Sequence, residues 1–249
     1  MLLQGRIALV TGASRGIGAA AARRLATHGA AVAVNFLSNE AAAMEVVEAI
    51  VAAGGRAVSI QADVRDPAQA EALVRRAEKL LGPVDTLVLN ANMNFPMVPF
   101  ADMPWEGFQQ KLLGEVASAF HPCKAALPGM IQRRRGCIIA VSSGLSRQPG
   151  PGFSAHTTAK SGLDGFMKSL ALELGPQGIR VNVVAPGLTE TDATAFIPAA
   201  AKAAAGSHLP LGRIGQPEDE AGIIALVASD EAGYLTGQYL SAGGGGMML

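Results

Sequence analysis

The sequence predicts an α/β fold: a single three-layer domain spanning residues 1–249 and built on a doubly wound parallel sheet. Three observations carry this reading. Short apolar runs bounded by turn residues alternate with longer stretches of helical spacing along the whole chain. Those short runs are continuously apolar, as strands covered on both faces are. The run Arg6-Ile7-Ala8-Leu9-Val10-Thr11-Gly12-Ala13-Ser14-Arg15-Gly16-Ile17-Gly18 breaks from a strand into a glycine-punctuated turn and then opens a helix.

Taken in order, the first strand is followed by an alanine- and arginine-rich helix over 19–27 and a strand over 30–36. Helical spacing over 40–53 ends at Gly54-Gly55, where the chain can turn. A strand over 56–61, a helix over 67–81, a strand over 84–90 and a long helix from 104 to about 130 continue the alternation. The pattern closes with a strand over 136–142, a helix from about 154 to 174, a strand over 179–184, a helix over 217–228 and a strand over 238–240. The extended interruption is 187–211, where 199–205 has the composition of a short helix. It follows the C-terminal end of a strand, where such sheets bind ligands, and reads as a substrate lid. No internal repeat or linker divides the series.

A chain of 249 residues with 49% apolar content can bury a large core as one domain. Its 20 basic and 20 acidic residues cancel, so nothing favours nucleic acid or an anionic membrane surface. Arg133-Arg134-Arg135 reads as a solvated turn before a strand. Cys123 and Cys137 fall in a helix and a strand and imply no disulfide framework. A first strand starting at residue 6 leaves no room for a signal peptide, and no apolar run approaches the ~18 residues of a membrane span. The expected location is the cytoplasm, and no metal site is read.

The glycines have separate reasons. Gly12 lets the chain reverse where a β-carbon would clash, Gly16 lets backbone approach a bound group, and Gly18 lets the helix pack on the strand. Together with Ser14, Arg15 and Ile17 they form a loop whose helix N-terminus suits a pyrophosphate, the mark of a Rossmann-type dinucleotide site. After the second strand the chain reads Asn35-Phe36-Leu37-Ser38-Asn39, without the carboxylate that holds a ribose 2′-hydroxyl in NAD sites. With Arg15 and Ser38 nearby, NADP(H) is favoured over NAD(H). Asp63-Val64 follows the third strand, where an adenine edge would lie; Asp63 reads equally well as a cap for the helix beginning at Pro67.

Over essentially its whole length the chain resembles the short-chain dehydrogenase/reductase family, and most closely its 3-oxoacyl-carrier-protein reductase branch. The resemblance rests on Thr11-Gly12-x-x-x-Gly16-x-Gly18, Asn90-Ala91, Ser142-Ser143 and Val183-Val184-Ala185-Pro186-Gly187. It implies that Asn90 and Ala91 line the cofactor cleft and that Pro186, Gly187, Leu188 and Thr189 meet the nicotinamide carboxamide. It also implies Lys160 on the cofactor ribose, a role in fatty acid or polyketide biosynthesis, and a homotetramer built partly from the two long helices.

Three positions depart from the family pattern. Thirteen residues after Ser143 and four before Lys160, where the family has its catalytic tyrosine, stands His156. Tyr234 and Tyr239, the chain's tyrosines, are both near the C-terminus and offer no local substitute. Glu115 stands where the long helix carries an asparagine, and Asn92 where a glycine usually follows Asn90-Ala91, a change that alters backbone freedom.

The resemblance implies hydride transfer from nicotinamide to a carbonyl, with Ser143 donating a hydrogen bond to the carbonyl oxygen. A histidine four residues from Lys160 shares its helix face, and the ammonium disfavours imidazolium. Glu115 is expected to reverse that effect and restore a general acid poised near pH 7, making Ser143, His156, Lys160 and Glu115 the expected catalytic set. The implied activity is reduction of a 3-oxoacyl group, carrier-bound or free, and Phe196, Ile197 and Pro198 in the lid suit an apolar acyl chain. The alternative is a member that keeps the nucleotide but has lost proton delivery: a cyclase, isomerase or regulatory binder. His28 and His121 read as solvated or packed, and for His208, in the lid, contact with substrate is the less favoured reading.

Overall fold

The computed structural model describes residues 1–248. Its strands are β1 (Ile7–Val10), β2 (Ala31–Phe36), β3 (Arg56–Gln61), β4 (Thr86–Leu89), β5 (Gly136–Val141), β6 (Ile179–Pro186) and β7 (Tyr239–Ala242). The helices are α1 (Gly16–Thr27), α2 (Glu40–Ala52), α3 (Pro67–Leu81), α4 (Trp105–Arg133), α5 (Ser154–Leu174), α6 (Ala199–Ser207) and α7 (Pro217–Ala228). All seven strands are parallel, in the order β3-β2-β1-β4-β5-β6-β7. Among the described residues no helix is long and apolar enough to cross a membrane.

Two apolar clusters, one on each face, hold the three layers together. Leu73, Val74 and Ala77 of α3, Ala119, Cys123 and Met130 of α4, and Leu163, Met167 and Leu170 of α5 pack on one side. The alanine-rich face of α1, Ala43, Val46 and Ile50 of α2, and Ile224 and Ala225 of α7 pack on the other. Small side chains on α1 let that helix lie close to both sheet and α7, at the cost of less apolar area per residue.

Local chemistry sets the helix starts. The Asn39 side chain accepts a hydrogen bond from the Ala42 amide at 3.1 Å, and that of Asp66 accepts one from Gln69 N at 2.9 Å. Asp66, rather than Asp63, therefore caps α3, so the capping reading of Asp63 does not hold. Helix α4 continues through Pro122 and Pro128 to a left-handed Arg134, three residues beyond the expected end. Strand β6 runs to Pro186 because Val183 through Pro186 pair with Tyr239 through Ala242.

The sheet order reverses between β1 and β4, and the crevice at their C-terminal ends is where a ligand enters such a sheet. Thr11 Oγ1 accepts from the amides of Asn90 and Ala91, at 2.9 and 3.1 Å, and Asn90 Nδ2 donates to Thr11 O and Gly12 O at 3.0 Å each. Gly12 has φ +60°, and a β-carbon there would meet Ala91 Cα at 2.9 Å. One added at Gly18 would lie 2.6 Å from Gly12 O and closer still to Asn90 Nδ2. Gly18→Ala should thus destabilise the fold by about 1–3 kcal/mol through overpacking. Thermal unfolding should show a Tm drop of about 2–4 °C for each kcal/mol.

Candidate active site

The crevice opens into a cleft of about 670 Å³. Gly12, Ser14, Arg15, Gly16 and Ile17 line it from the glycine turn, with Asn35 and Ser38 at the end of β2. Asp63 and Val64 follow β3 along the wall, then Asn90 and Ala91, and Ser143, His156 and Lys160 lie further along. Pro186, Gly187 and Thr189 complete the expected set. Gly18 and Leu188 do not line the cleft. Gly18 sits beneath it against Asn90, and Leu188 uses its carbonyl to accept from the Gly215 amide at 2.9 Å.

Asn35 owes its identity to hydrogen-bond polarity. It is buried; its Oδ1 accepts from Gly12 N at 3.2 Å while Nδ2 donates to Ile60 O and Ala62 O at 3.3 and 3.1 Å. A carboxylate, an acceptor only, cannot make the last two bonds. Arg15 is 70% exposed and has Asp192 at 3.8 Å across the cleft mouth, a loose pair that leaves the guanidinium free to meet an anion. Asp63 is held by Arg65 at 2.6 and 2.8 Å, and those hydrogen bonds keep its carboxyl below the usual range.

Deeper in, α4 and α5 face each other across a charge cluster. Glu115 Oε2 accepts from Lys111 Nζ and its Oε1 from Lys160 Nζ, both at 2.6 Å, with all three side chains buried. Lys111 also donates to Asn92 Oδ1 at 2.6 Å and Met93 O at 3.0 Å, and Lys160 donates to Val141 O at 2.8 Å. Burial would raise the Glu115 carboxyl, but Lys160 and Lys111 together hold it down to about 2. For Lys111, burial outweighs the attraction of Glu115 and lowers the ammonium to about 8. Asn92 keeps ordinary backbone geometry, since Arg134 is the sole non-glycine residue with positive φ among the described residues. Its replacement of glycine supplies an amide for Lys111 rather than changing backbone freedom.

His156 lies one turn before Lys160 on α5, its ring stacked on Phe95 at 4.9 Å and 20°. It is 8% exposed, and Nδ1 is buried without a partner. Burial first, then Lys160 and Lys111, press its pKa from 6.5 to about 3, against the single opposing influence of Glu115. The expected acid poised near pH 7 is therefore not what the structure holds. One carboxylate shared between two ammonium groups leaves a net positive cluster beside the ring, and Phe95 removes its water. The imidazole is neutral at physiological pH.

Ser143 opens a 3₁₀ turn at Gly144–Ser146, and its Oγ accepts from Leu145 N at 3.2 Å. The turn is pinned from behind. Tyr239 Oη donates to the Ser143 carbonyl at 3.0 Å and lies 3.2 Å from Ser146 Oγ, which donates to the buried Asp164 at 2.7 Å. Tyr239, far from Ser143 in sequence, thus reaches the backbone of the serine turn in space, although it is not among the cleft-lining residues. In the 187–211 segment, Thr191, Asp192, Ala193 and Thr194 line the cleft, whereas Phe196, Ile197 and Pro198 do not. His208 follows α6 outside the cleft with Nδ1 2.7 Å from Ala204 O, in keeping with the favoured reading that it does not meet substrate.

The family profile described as Enoyl-(Acyl carrier protein) reductase matches residues 12–246. A 3-oxoacyl-(acyl-carrier-protein) reductase of Escherichia coli is 38% identical over 251 residues, covering both chains completely. The chain belongs to the short-chain dehydrogenase/reductase family. An L-rhamnose 1-dehydrogenase (NAD(P)(+)) of Sphingomonas is 39% identical over 247 residues, spanning 98% of this chain and 97% of that one. A blue fluorescent protein from a metagenomic library, solved with NADPH, superposes with a TM-score of 0.89 at 36% identity, covering 98% and 99% of the two chains. This short-chain oxidoreductase thus shares its fold with that structure over nearly all of both chains.

The depressed imidazole has a measurable effect on folding. Between pH 6.5 and pH 3 the unfolded chain binds a proton at His156 that the folded chain refuses, so stability falls as pH falls through that window. Chemical denaturation at pH 7 and pH 4 should show the wild type losing on the order of 3 kcal/mol more than His156→Phe.

Proposed function

We propose that this oxidoreductase is an NADPH-dependent ketoreductase for 3-oxoacyl groups, free or carrier-bound, with His156 in the position of the family tyrosine. The observation that carries the reading is the convergence of Ser143, His156 and Lys160 in the same cleft as the glycine turn. A nicotinamide nucleotide fits these residues: positive φ at Gly12 and Gly16 brings backbone amides to the surface, and no β-carbon fills the cradle. The exposed Arg15, with Ser38 and no free carboxylate at the end of β2, supports a 2′-phosphate and hence NADP(H) over NAD(H). Asp63 and Val64 suit the adenine edge, and Pro186, Gly187 and Thr189 the carboxamide.

When bound, the nucleotide supplies the hydride that reduces the carbonyl carbon. The chain's task is to stabilise the oxygen as charge develops there. Ser143 Oγ and a neutral His156 N–H are two uncharged donors for that oxygen, and a neutral imidazole can polarise a carbonyl without first being protonated. Lys160, fixed by Glu115 and Val141 O, holds positive charge beside them. The proton that completes the alcohol then comes from solvent through the open cleft. A cytoplasmic setting fits two free, buried cysteines, and a tetramer fits the exposed Leu113 and Phe120 on α4 and Leu172 on α5.

One observation favours a second reading. An imidazole with a pKa of about 3 is a poor proton acid at neutral pH, which suits a protein that holds NADPH without consuming it. Absorbance at the NADPH band with a panel of short 3-oxoacyl thioesters separates the two. Turnover that His156→Ala lowers by about 10²-fold or more supports the ketoreductase. Its rate should show no step at pH 6–7 assignable to His156, because the ring is already neutral there. Tight NADPH binding without consumption supports the binder. A large gain in rate for His156→Tyr would identify the imidazole as the weak element.

A further inference from the structure

Glu220 breaks an apolar face. It lies in the first turn of α7, whose other inward positions are Ala221, Ile224, Ala225, Val227 and Ala228, and it has no exposed surface. Its Oε1 accepts from Thr189 Oγ1 at 3.0 Å, while Oε2 is buried without a partner. A carboxylate in that position keeps a charge out of water with half its acceptor capacity unmet, a costly state. The charges acting on it are Asp219, on the same helix, and Arg213, in the loop before it, which Asp219 already engages at 2.6 and 2.8 Å. Helix α1 and strands β5 and β6 turn apolar faces to this helix. Burial dominates and raises the carboxyl to about 7.

The carboxyl supports the back of a strap whose front lines the cleft. Leu188 O accepts from Gly215 N, and Gly215 O accepts from Glu190 N, each at 2.9 Å, so Thr189 is held between them. A β-carbon at Gly215 would press on Glu220 Oε1 and Thr189 Oγ1 at 3.0 Å each, so the strap passes tightly over this pair. Thr189 Oγ1 has two acceptors within reach, Glu220 Oε1 at 3.0 Å and Gly187 O at 3.2 Å, and one hydrogen to give. An ionised Glu220 takes that hydrogen. A Glu220 protonated on Oε1 can donate to Thr189 Oγ1 instead, which frees the threonine hydrogen for Gly187 O or a group in the cleft.

We propose that Glu220 is a positioning residue for the nicotinamide end of the cofactor site, setting through Thr189 whether that hydroxyl donates into the cleft and taking up a proton when the cofactor binds. The proposal rests on the reading that Thr189 meets the carboxamide. Binding covers the strap and brings phosphate charge nearer; both favour the neutral carboxyl, so affinity is higher below neutral pH and weakens above it.

Calorimetry of NADPH binding, in buffers of differing ionisation enthalpy, reads this directly. Between pH 6 and pH 8.5 wild-type affinity should weaken by about threefold or more beyond the change in Glu220→Gln, since each unit of pKa shift on binding is worth about tenfold. The wild type should also take up more protons than the variant at pH 7.5. Titration of the cofactor's own 2′-phosphate occurs in both proteins and cancels in the comparison. Identical pH profiles and proton uptake overturn the proposal while leaving the cofactor reading intact; no NADPH binding by folded wild type at any pH overturns both. Should Glu220→Gln fail to fold, ¹³C NMR of glutamate-labelled wild type serves in its place. There the buried carboxyl should titrate at higher pH with NADPH than without, and an unmoved midpoint overturns the proposal.

Discussion

A single carboxylate holding two buried ammonium groups determines the character of this site. Glu115 fixes Lys160 from one side and Lys111 from the other. Lys111 in turn anchors Asn92 and Met93 at the cleft wall, and its ammonium lies 5.3 Å from the centre of the Phe95 ring. Phe95 stacks on His156 and dries it. The loop after β4 is therefore anchored by one ion cluster on α4 and α5, and the imidazole beside it is kept neutral first by burial and then by the cluster's two ammonium groups. Burying three charges is expensive, and removing one partner from such a set typically costs several kcal/mol because the others are left uncompensated.

Much of the fold was legible in the sequence because its signals are local. Continuous apolar runs, glycine after the first strand, and Pro67 and Pro217 at helix starts are properties of a few neighbouring residues. The α3 and α7 boundaries agree to the residue with the expected ones. The strand ends were less visible: β6 reaches Pro186 through its pairing with β7, a partner more than fifty residues away. Helix α4 passes two prolines that, read locally, argue for an end.

The site divides along the same line. The positions of Ser143, His156, Lys160 and the glycine turn follow from spacing, and the structure gathers them in one cleft. Lys111 was not singled out, because a lysine four residues before Glu115 reads as an ordinary exposed helix pair until its complete burial is known. The sign of the lysine's effect on His156 was readable; its size was not, since it depends on Phe95 and on a second ammonium. Asn35 looked informative for the acid it lacks, whereas its amide has a positive task, joining the glycine turn to β3.

The hydrogen bond from Tyr239 to the carbonyl of Ser143 couples the middle of the chain to its last strand. During synthesis, the serine turn emerges nearly a hundred residues before the phenol that braces it. The ends of β1, β2 and β4 come early in the chain, whereas the serine turn has its brace only once β7 is docked beside β6. The brace on the serine turn is thus the part of the site that the chain supplies last.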